Sequence, residues 1–178
     1  MLKLKNLSII FIMFFSITFI GQVSANEIVD FQNTNTIKYN ELTAYDKKQV
    51  DCLAKNIYFE SAKEGLAGWM AVGFVTMNRV FSGNYPETVC GVVYQKIRST
   101  YQFSWVKFND SVKIKMPSLY NEILEVATEL YQSYGTSLDI LDITGGALFF
   151  HSTSVNPKWT GIIRTKKIGN HIFYRRPN

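Results

Sequence analysis

Residues 66–80 read LAGWMAVGFVTMNRV, and no charged side chain lies between Glu64 and Arg79. A helix over this span is apolar on nearly every face yet too short to cross a bilayer, which takes about 20 residues. Such a helix belongs at the centre of a core. Ala67, Gly68, Ala71 and Gly73 are small enough to let neighbouring elements approach it closely.

Working outward, Val50, Leu53, Ala54 and Ile57 recur at helical spacing and predict a helix over 46–61, with Asp46 and Gln49 resembling a capping box. After the turn signal SGNYP at 82–86, Pro86 is placed to open a short helix through Tyr94, followed by a polar, aromatic loop containing QFSW at 102–105. Leu119, Ile123, Val126, Ala127 and Leu130 predict an amphipathic helix over 118–133. Then the period changes. GGALFFH at 145–151 and KIGNHIFY at 167–174 are short, aromatic and β-branched, and they predict an antiparallel pair, with Asp142, Thr144 and Gly145 holding the preceding turn. The fold class is α+β: one mainly helical domain with a small antiparallel β-hairpin near the C-terminus.

Lys3 and Lys5 precede the apolar run LSIIFIMFFSITFIG, and Val23-Ser24-Ala25 supplies small residues for cleavage. Residues 1–25 therefore read as a secretory signal peptide, with a retained membrane anchor as the other reading. Residues 26–45 are polar and lack a clear period, as expected of a flexible leader, which leaves 46–178 for the folded domain. The 178 residues, 47% of them hydrophobic, suffice for one well-cored domain. Removing two lysines with the signal leaves 17 cations against 14 acids, or +3. That mild positive charge suits an acidic polymer such as cell wall or an anionic membrane surface and gives no nucleic-acid footprint. Export would carry Cys52 and Cys90 into an oxidising compartment, where a disulfide and two buried thiols are both open readings.

Glu60 stands out within IYFESAKEG at 57–65. At about 100° per residue it projects close to Leu53, seven positions earlier, on the apolar side of its helix. Burial raises a carboxyl's pKa and lets it hold a proton near neutral pH, as a general acid requires. Periodicity leaves other readings open, because Glu60 near the helix end can also bend out to solvent or pair with Arg79 or Lys63. Glu64 would share that face only if the helix continued, and Gly65 argues that it stops. Glu64 then sits at the start of the next helix, where its charge meets the positive end of the helix dipole.

The ordered runs CLAKNIYFESAKEGLAGWMAVGFVTMNRV, YPETVCGVVYQ, QFSW, DITGGALFFH, VNPKW and IGNHIFY closely resemble the SleB/CwlJ-like cell-wall hydrolases, over about residues 48–175. The resemblance implies a lysozyme-like, lytic-transglycosylase-like domain acting on peptidoglycan, with Glu60 as the catalytic acid and Glu64 at the family motif's second glutamate. There are departures: Ser61-Ala62-Lys63 replaces the usual Ala-Arg-Gly, Trp69 stands where glutamine is common, and WVKFND at 105–110 lacks the family's cysteine. Lys63 is then a candidate to supply part of the missing positive charge.

Around Glu60, the residues expected to line a glycan groove are Tyr58, Glu64, Gln102, Ser104, Trp105, His151, Trp159 and His171, by stacking and hydrogen bonding, although core packing is open for each aromatic. No cofactor, metal, nucleic acid or partner subunit is expected, and the protein reads as an exported monomer. Two alternatives are a zinc-dependent amidase built on His151, His171 and a carboxylate, and a glycan-binding module without activity. A conventional retaining or inverting hydrolase would need a second acid, for which Glu64 and Asp142 are the candidates.

Overall fold

The computed structural model describes residues 37–108, 111–134 and 142–177. The expected signal peptide at 1–25 and the leader through residue 36 lie outside the described residues. Residues 37–45, expected as the end of a flexible leader, are instead held against the domain. A 3-10 turn spans Tyr39–Glu41. The Ile37 amide donates to Gln132 Oε1 at 2.9 Å, Gln132 Nε2 donates back to the Ile37 carbonyl at 2.6 Å, and Tyr39 donates to Asp51 at 2.7 Å.

Helix α1 spans Ala44–Ser61 and starts two residues before the expected Asp46. Its cap is Thr43, whose Oγ1 accepts from the Asp46 amide at 3.1 Å and donates to the Asp46 carboxylate at 2.6 Å. The cap is thus the Thr43 hydroxyl, three residues upstream of the expected Asp46. Asp46 serves the first turn rather than preceding it. Gln49 is buried and accepts from the Cys90 amide at 3.0 Å.

Helix α2 spans Gly65–Phe81 and is the central helix that its chargeless sequence requires. Val72, Phe74 and Met77 join the core formed with Val50, Leu53 and Ile57 of α1 and with Ile123, Ala127 and Leu130 of the later helix α4, Pro117–Ser133. Ala71 and Val75 pack instead on Ala147 and Phe173, which belong to the sheet side. With helices on one side and a sheet on the other, the middle of α2, residues 68–77, has almost no exposed face for charged side chains.

Helix α3 spans Val89–Val93 and is capped by Thr88, which accepts from the Gly91 amide at 3.0 Å; it begins three residues past the expected Pro86 because the hydroxyl cap, not the proline, sets its start. Cys90 on α3 is joined to Cys52 on α1 by a disulfide. Strands β1 (Lys96–Ile97) and β2 (Thr100–Tyr101) form a short hairpin where a loop was expected. A 3-10 segment, Ser104–Phe108, follows.

The C-terminal sheet contains β3 (Phe149–Ser152), β4 (Ile163–Ile168) and β5 (His171–Arg175), antiparallel in the order β3-β5-β4. The expected pair is present as β3 with β5, but the run 167–174 is not one strand. It breaks at Gly169-Asn170, a two-residue turn signal, into the end of β4 and the start of β5. Directly opposed residues share a face, and Phe149 lies opposite Tyr174, Phe150 opposite Phe173, and His151 opposite Ile172. The inner face therefore carries Phe150, His171 and Phe173, while the outer face carries Phe149, His151, Ile172 and Tyr174. Among the described residues no helix is long and apolar enough to cross a membrane.

Candidate active site

Glu60 occupies the last turn of α1, half-buried, beside a loop that Gly65 closes with a left-handed backbone at φ 67°. An L side chain rarely adopts that conformation, so Gly65 ends any continuation of α1 and starts α2 in a new direction. Ser61 Oγ donates to the Ile57 carbonyl at 2.9 Å, and the Trp69 indole reaches back to the Ala62 carbonyl at 3.4 Å, so the departing segment 61–63 is tied to both helices.

The Glu60 carboxyl is pushed up to about 7 from the ordinary 4.5, because burial strips solvent from its charged form; the Arg79 guanidinium pulls the other way and is outweighed. The carboxylate forms no hydrogen bond or ion pair with another described residue. Lys63 is exposed, and the positive charge that acts on Glu60 is that of Arg79. Arg79 itself is buried on α2. Its Nε donates to the Leu148 carbonyl at 2.8 Å, and its guanidinium carbon lies 5.3 Å from the Tyr85 ring centre and 5.1 Å from that of Phe103. Its Nη1 is buried with no hydrogen-bond partner among the described residues. Burial lowers its pKa, and Tyr85 and Glu60 both oppose that shift. The result is an acid and a cation sharing a poorly solvated environment without neutralising each other by contact.

The other two carboxylates expected near the chemistry are occupied. Glu64 sits at the cap position of α2, where its side chain makes no cap hydrogen bond. Its Oε2 accepts from the Asn170 amide at 2.8 Å and its Oε1 from Asn170 Nδ2 at 3.0 Å, which ties the start of α2 to the β4–β5 turn. Asp142 accepts from the amide and hydroxyl of Thr144 on one oxygen and from Asn78 and the Gly146 amide on the other. Asp142 and Thr144 thus hold the turn before β3, as expected.

The remaining expected groove residues divide. Tyr58 is buried, and its hydroxyl accepts from the Lys115 and Met116 amides, both at 3.1 Å, so it anchors the entry to α4 instead of facing a ligand. Trp105 is buried too, donating to Asn56 Oδ1 at 3.0 Å and lying 4.7 Å from the Phe59 ring, so it is a core residue. In both cases the aromatic body satisfies the core and the polar tip finds an internal partner. Gln102 is half-buried and Ser104 exposed, at the entrance to the 3-10 segment next to buried Phe103. His171 is buried on the inner sheet face, edge-on to Phe150 at 5.1 Å, with Nδ1 unpartnered among the described residues. Burial lowers its pKa, Glu64 partly restores it, and His151 lowers it further.

His151 and Trp159 lie together on the other side of the sheet. His151 Nε2 contacts the Tyr174 hydroxyl at 2.9 Å, and Trp159 stands edge-on 5.4 Å from the His151 ring. His151 and His171 therefore project from opposite faces, which does not bring them together as ligands of one metal. Two larger surface clefts, of about 580 and 470 Å3, open where residues 37–42 meet α4 and beside Asp46 at the start of α1, at the far end of that helix from Glu60.

Residues 63–174 match the family described as Cell Wall Hydrolase, Hydrolase_2. The chain belongs to the cell wall hydrolase family. It is 29% identical over 144 residues to a spore cortex-lytic enzyme of Bacillus cereus, covering 80% of this chain and 49% of that protein. A spore cortex-lytic enzyme of Oceanobacillus iheyensis is 25% identical over 159 residues, covering 86% of this chain and 50% of that protein. The chain thus spans about half the length of these curated relatives. The crystal structure of the catalytic domain of the Bacillus cereus SleB protein superposes with a TM-score of 0.55 at 27% identity, covering 78% of this chain and 98% of that one. The family match begins just past Glu60, so Glu60 depends on its own geometry for its assignment.

Within this family member, sequence reading named Arg79 only as a possible ion-pair partner of Glu60 and passed over Asn78 and Asn170 as builders of the site. Asn78 donates to Asp142 and to the Ala147 carbonyl, so with Arg79 it fastens the end of α2 to the chain entering β3. A signal was available: a polar pair ending an otherwise apolar helix must find internal partners when buried.

Proposed function

We propose that this cell wall hydrolase is a peptidoglycan lytic transglycosylase with Glu60 as its single catalytic acid. The observation that carries this reading is the Glu60 carboxyl, raised to about 7 and without a hydrogen-bond partner among the described residues, while Glu64 and Asp142 are both committed to structural hydrogen bonds. Protonated Glu60 donates to the glycosidic oxygen of the β-1,4 bond from N-acetylmuramic acid to N-acetylglucosamine as oxocarbenium character develops. The resulting carboxylate takes the proton of the muramic 6-hydroxyl, whose oxygen closes onto the anomeric carbon as a 1,6-anhydro ring. The proton returns to Glu60 and no water is consumed. An inverting or retaining hydrolase needs a second free carboxylate roughly 5 to 9.5 Å away.

The exported location belongs to the same reading, supported by the signal-like N-terminus and a disulfide suited to an oxidising compartment. Digestion of purified sacculi followed by mass spectrometry tests the reaction. Wild type should release 1,6-anhydromuropeptides, and Glu60→Gln should lose at least a hundredfold of that release with folding intact. Reducing-end muramic acid as the sole product would rule out the transglycosylase, and free stem peptides would point to an amidase. Undiminished release by Glu60→Gln would exclude Glu60 as the acid.

A further inference from the structure

Charge is distributed very unevenly along the chain. From residue 143 onward there is no acidic side chain, and the cations are Lys158, Arg164, Lys166, Lys167, Arg175 and Arg176. Those six against the total of 19 cations and 14 acids leave 13 minus 14, or −1, for residues 1–142, so the net positive charge resides in the sheet segment.

Strand pairing sorts those cations by face. Arg164 lies opposite Tyr174 and Lys167 opposite Ile172, so both share the outer face with Phe149 and His151. The Arg176 guanidinium carbon lies 5.9 Å from the Phe149 ring centre. On this face His151 and Tyr174 stack at 5.3 Å, and Trp159 stands perpendicular to both, 5.6 Å from Tyr174. Trp159 remains 44% exposed despite these contacts. Beside it lies a cleft of about 350 Å3 lined by Phe149, Lys158, Trp159, Thr160 and Ile162, within the roughly 300–1,000 Å3 range of small-ligand sites. Cations on an edge strand such as β4 also discourage unwanted strand pairing. That role does not account for an exposed indole fixed by two rings on the same face, where apolar surface has been left in water.

We infer that the outer face of the C-terminal sheet is a second peptidoglycan-binding surface, separate from the Glu60 site, on which one sugar of a neighbouring strand stacks on Trp159 while stem-peptide carboxylates meet Lys158, Arg164 and Lys167. The inference rests on the peptidoglycan reading above. Sugar rings present apolar faces that pack on aromatic side chains, and stem peptides carry the negative charge that this face complements. Arg79, whose charge acts on Glu60, belongs to the opposite side, where it grips Leu148 and packs on Phe103, a neighbour of inward-facing Phe150. Such a surface would keep the enzyme on an insoluble substrate between cuts.

Cosedimentation with purified sacculi tests this, using the full chain with Glu60→Gln so that the ligand is not digested. Adding Trp159→Ala should weaken binding about tenfold, and Trp159→Phe should weaken it less. Adding Arg164→Glu with Lys167→Glu should weaken it at least tenfold and remove most of its salt dependence. With Glu60 intact, that charge-reversed pair should cleave a soluble glycan fragment of two disaccharides within twofold of wild type. Unchanged sacculus binding in both sets of variants would overturn the inference. So would an equal loss on the soluble fragment, which would make this face part of the catalytic groove. Binding that disappears when phosphate-containing wall polymers are stripped from the sacculi would also overturn it, by assigning the face to those polymers. The binding arm uses inactive protein, so a failure of the transglycosylase reading shows separately, as the absence of anhydro products from wild type.

Discussion

At the scale of one residue, the Glu60 proton links chemistry to stability. A general acid must be protonated, so turnover should decline as pH rises through about 7, the value to which burial brings this carboxyl. Arg79 holds that value down. Arg79→Met should therefore move the alkaline limb of the pH–rate profile to higher pH, while Arg79→Lys, keeping the charge, should leave it nearly in place. A limb unmoved by Arg79→Met would mean that Arg79 does not set the proton affinity of Glu60. Stability follows the same proton. The folded pKa of Glu60 exceeds its ordinary 4.5, so the folded chain binds more protons, and stability should fall as pH rises from about 4.5 to about 7. At 1.36 kcal/mol per pKa unit, an ionised Glu60 costs roughly 3 kcal/mol at pH 8. Glu60→Gln, neutral at every pH, should then raise the melting temperature at pH 8 and have little effect at pH 4. Equal effects at both would sink the desolvation account.

At the scale of elements, close approach and turn chemistry decide what one helix can do for another. A Cβ on Gly73 would clash with Leu130 Cδ1 of α4 and lie 3.3 Å from Ile57 Cδ1 of α1. Gly73→Ala should cost about 1–3 kcal/mol by denaturant unfolding, despite the better helix propensity of alanine. Adding Leu130→Ala should cost less than the sum of the two single changes, because it removes the clashing atom. Glu64 acts across elements as well, since its carboxylate holds the β4–β5 turn through Asn170. Glu64→Ala should speed amide exchange at residues 169–170 and leave turnover within about tenfold of wild type, far above Glu60→Gln. The central helix was legible because a run without charge has one place to go. The third strand was missed because Gly169-Asn170 sits inside a run that looks continuous, and β4 as an edge strand carries little apolar signal. Tyr58 and Trp105 were misplaced for a related reason: aromatic residues with polar tips serve cores and grooves alike, and only their partners, the 115–116 amides and Asn56, tell the two apart.

Across the whole molecule, the helical part and the sheet meet through α2, with Ala71 and Val75 against Ala147 and Phe173 and with Arg79 and Asn78 gripping the chain entering β3. The position of Glu60 was legible from periodicity, but its environment depends on Arg79 and on Leu148, far apart in sequence, and no local pattern reports such a contact. The helical part has a covalent tie besides its core, the disulfide from Cys52 on α1 to Cys90 on α3, separated by 38 residues in sequence. Closing a loop of that size restricts the unfolded chain and stabilises a domain by roughly 3–4 kcal/mol. That is a large share of the roughly 5–15 kcal/mol that holds a typical domain together. Cys52 lies two helical turns before Glu60, about 12 Å along α1, so the bond does not touch the acid directly. Cys52→Ala with Cys90→Ala should therefore lower the urea midpoint markedly while leaving turnover at low temperature close to wild type. Reductant should lower the midpoint of wild type by a similar amount and have no effect on the double variant. If reductant shifted both proteins equally, or neither, this bond would not be the source of the stability assigned to it.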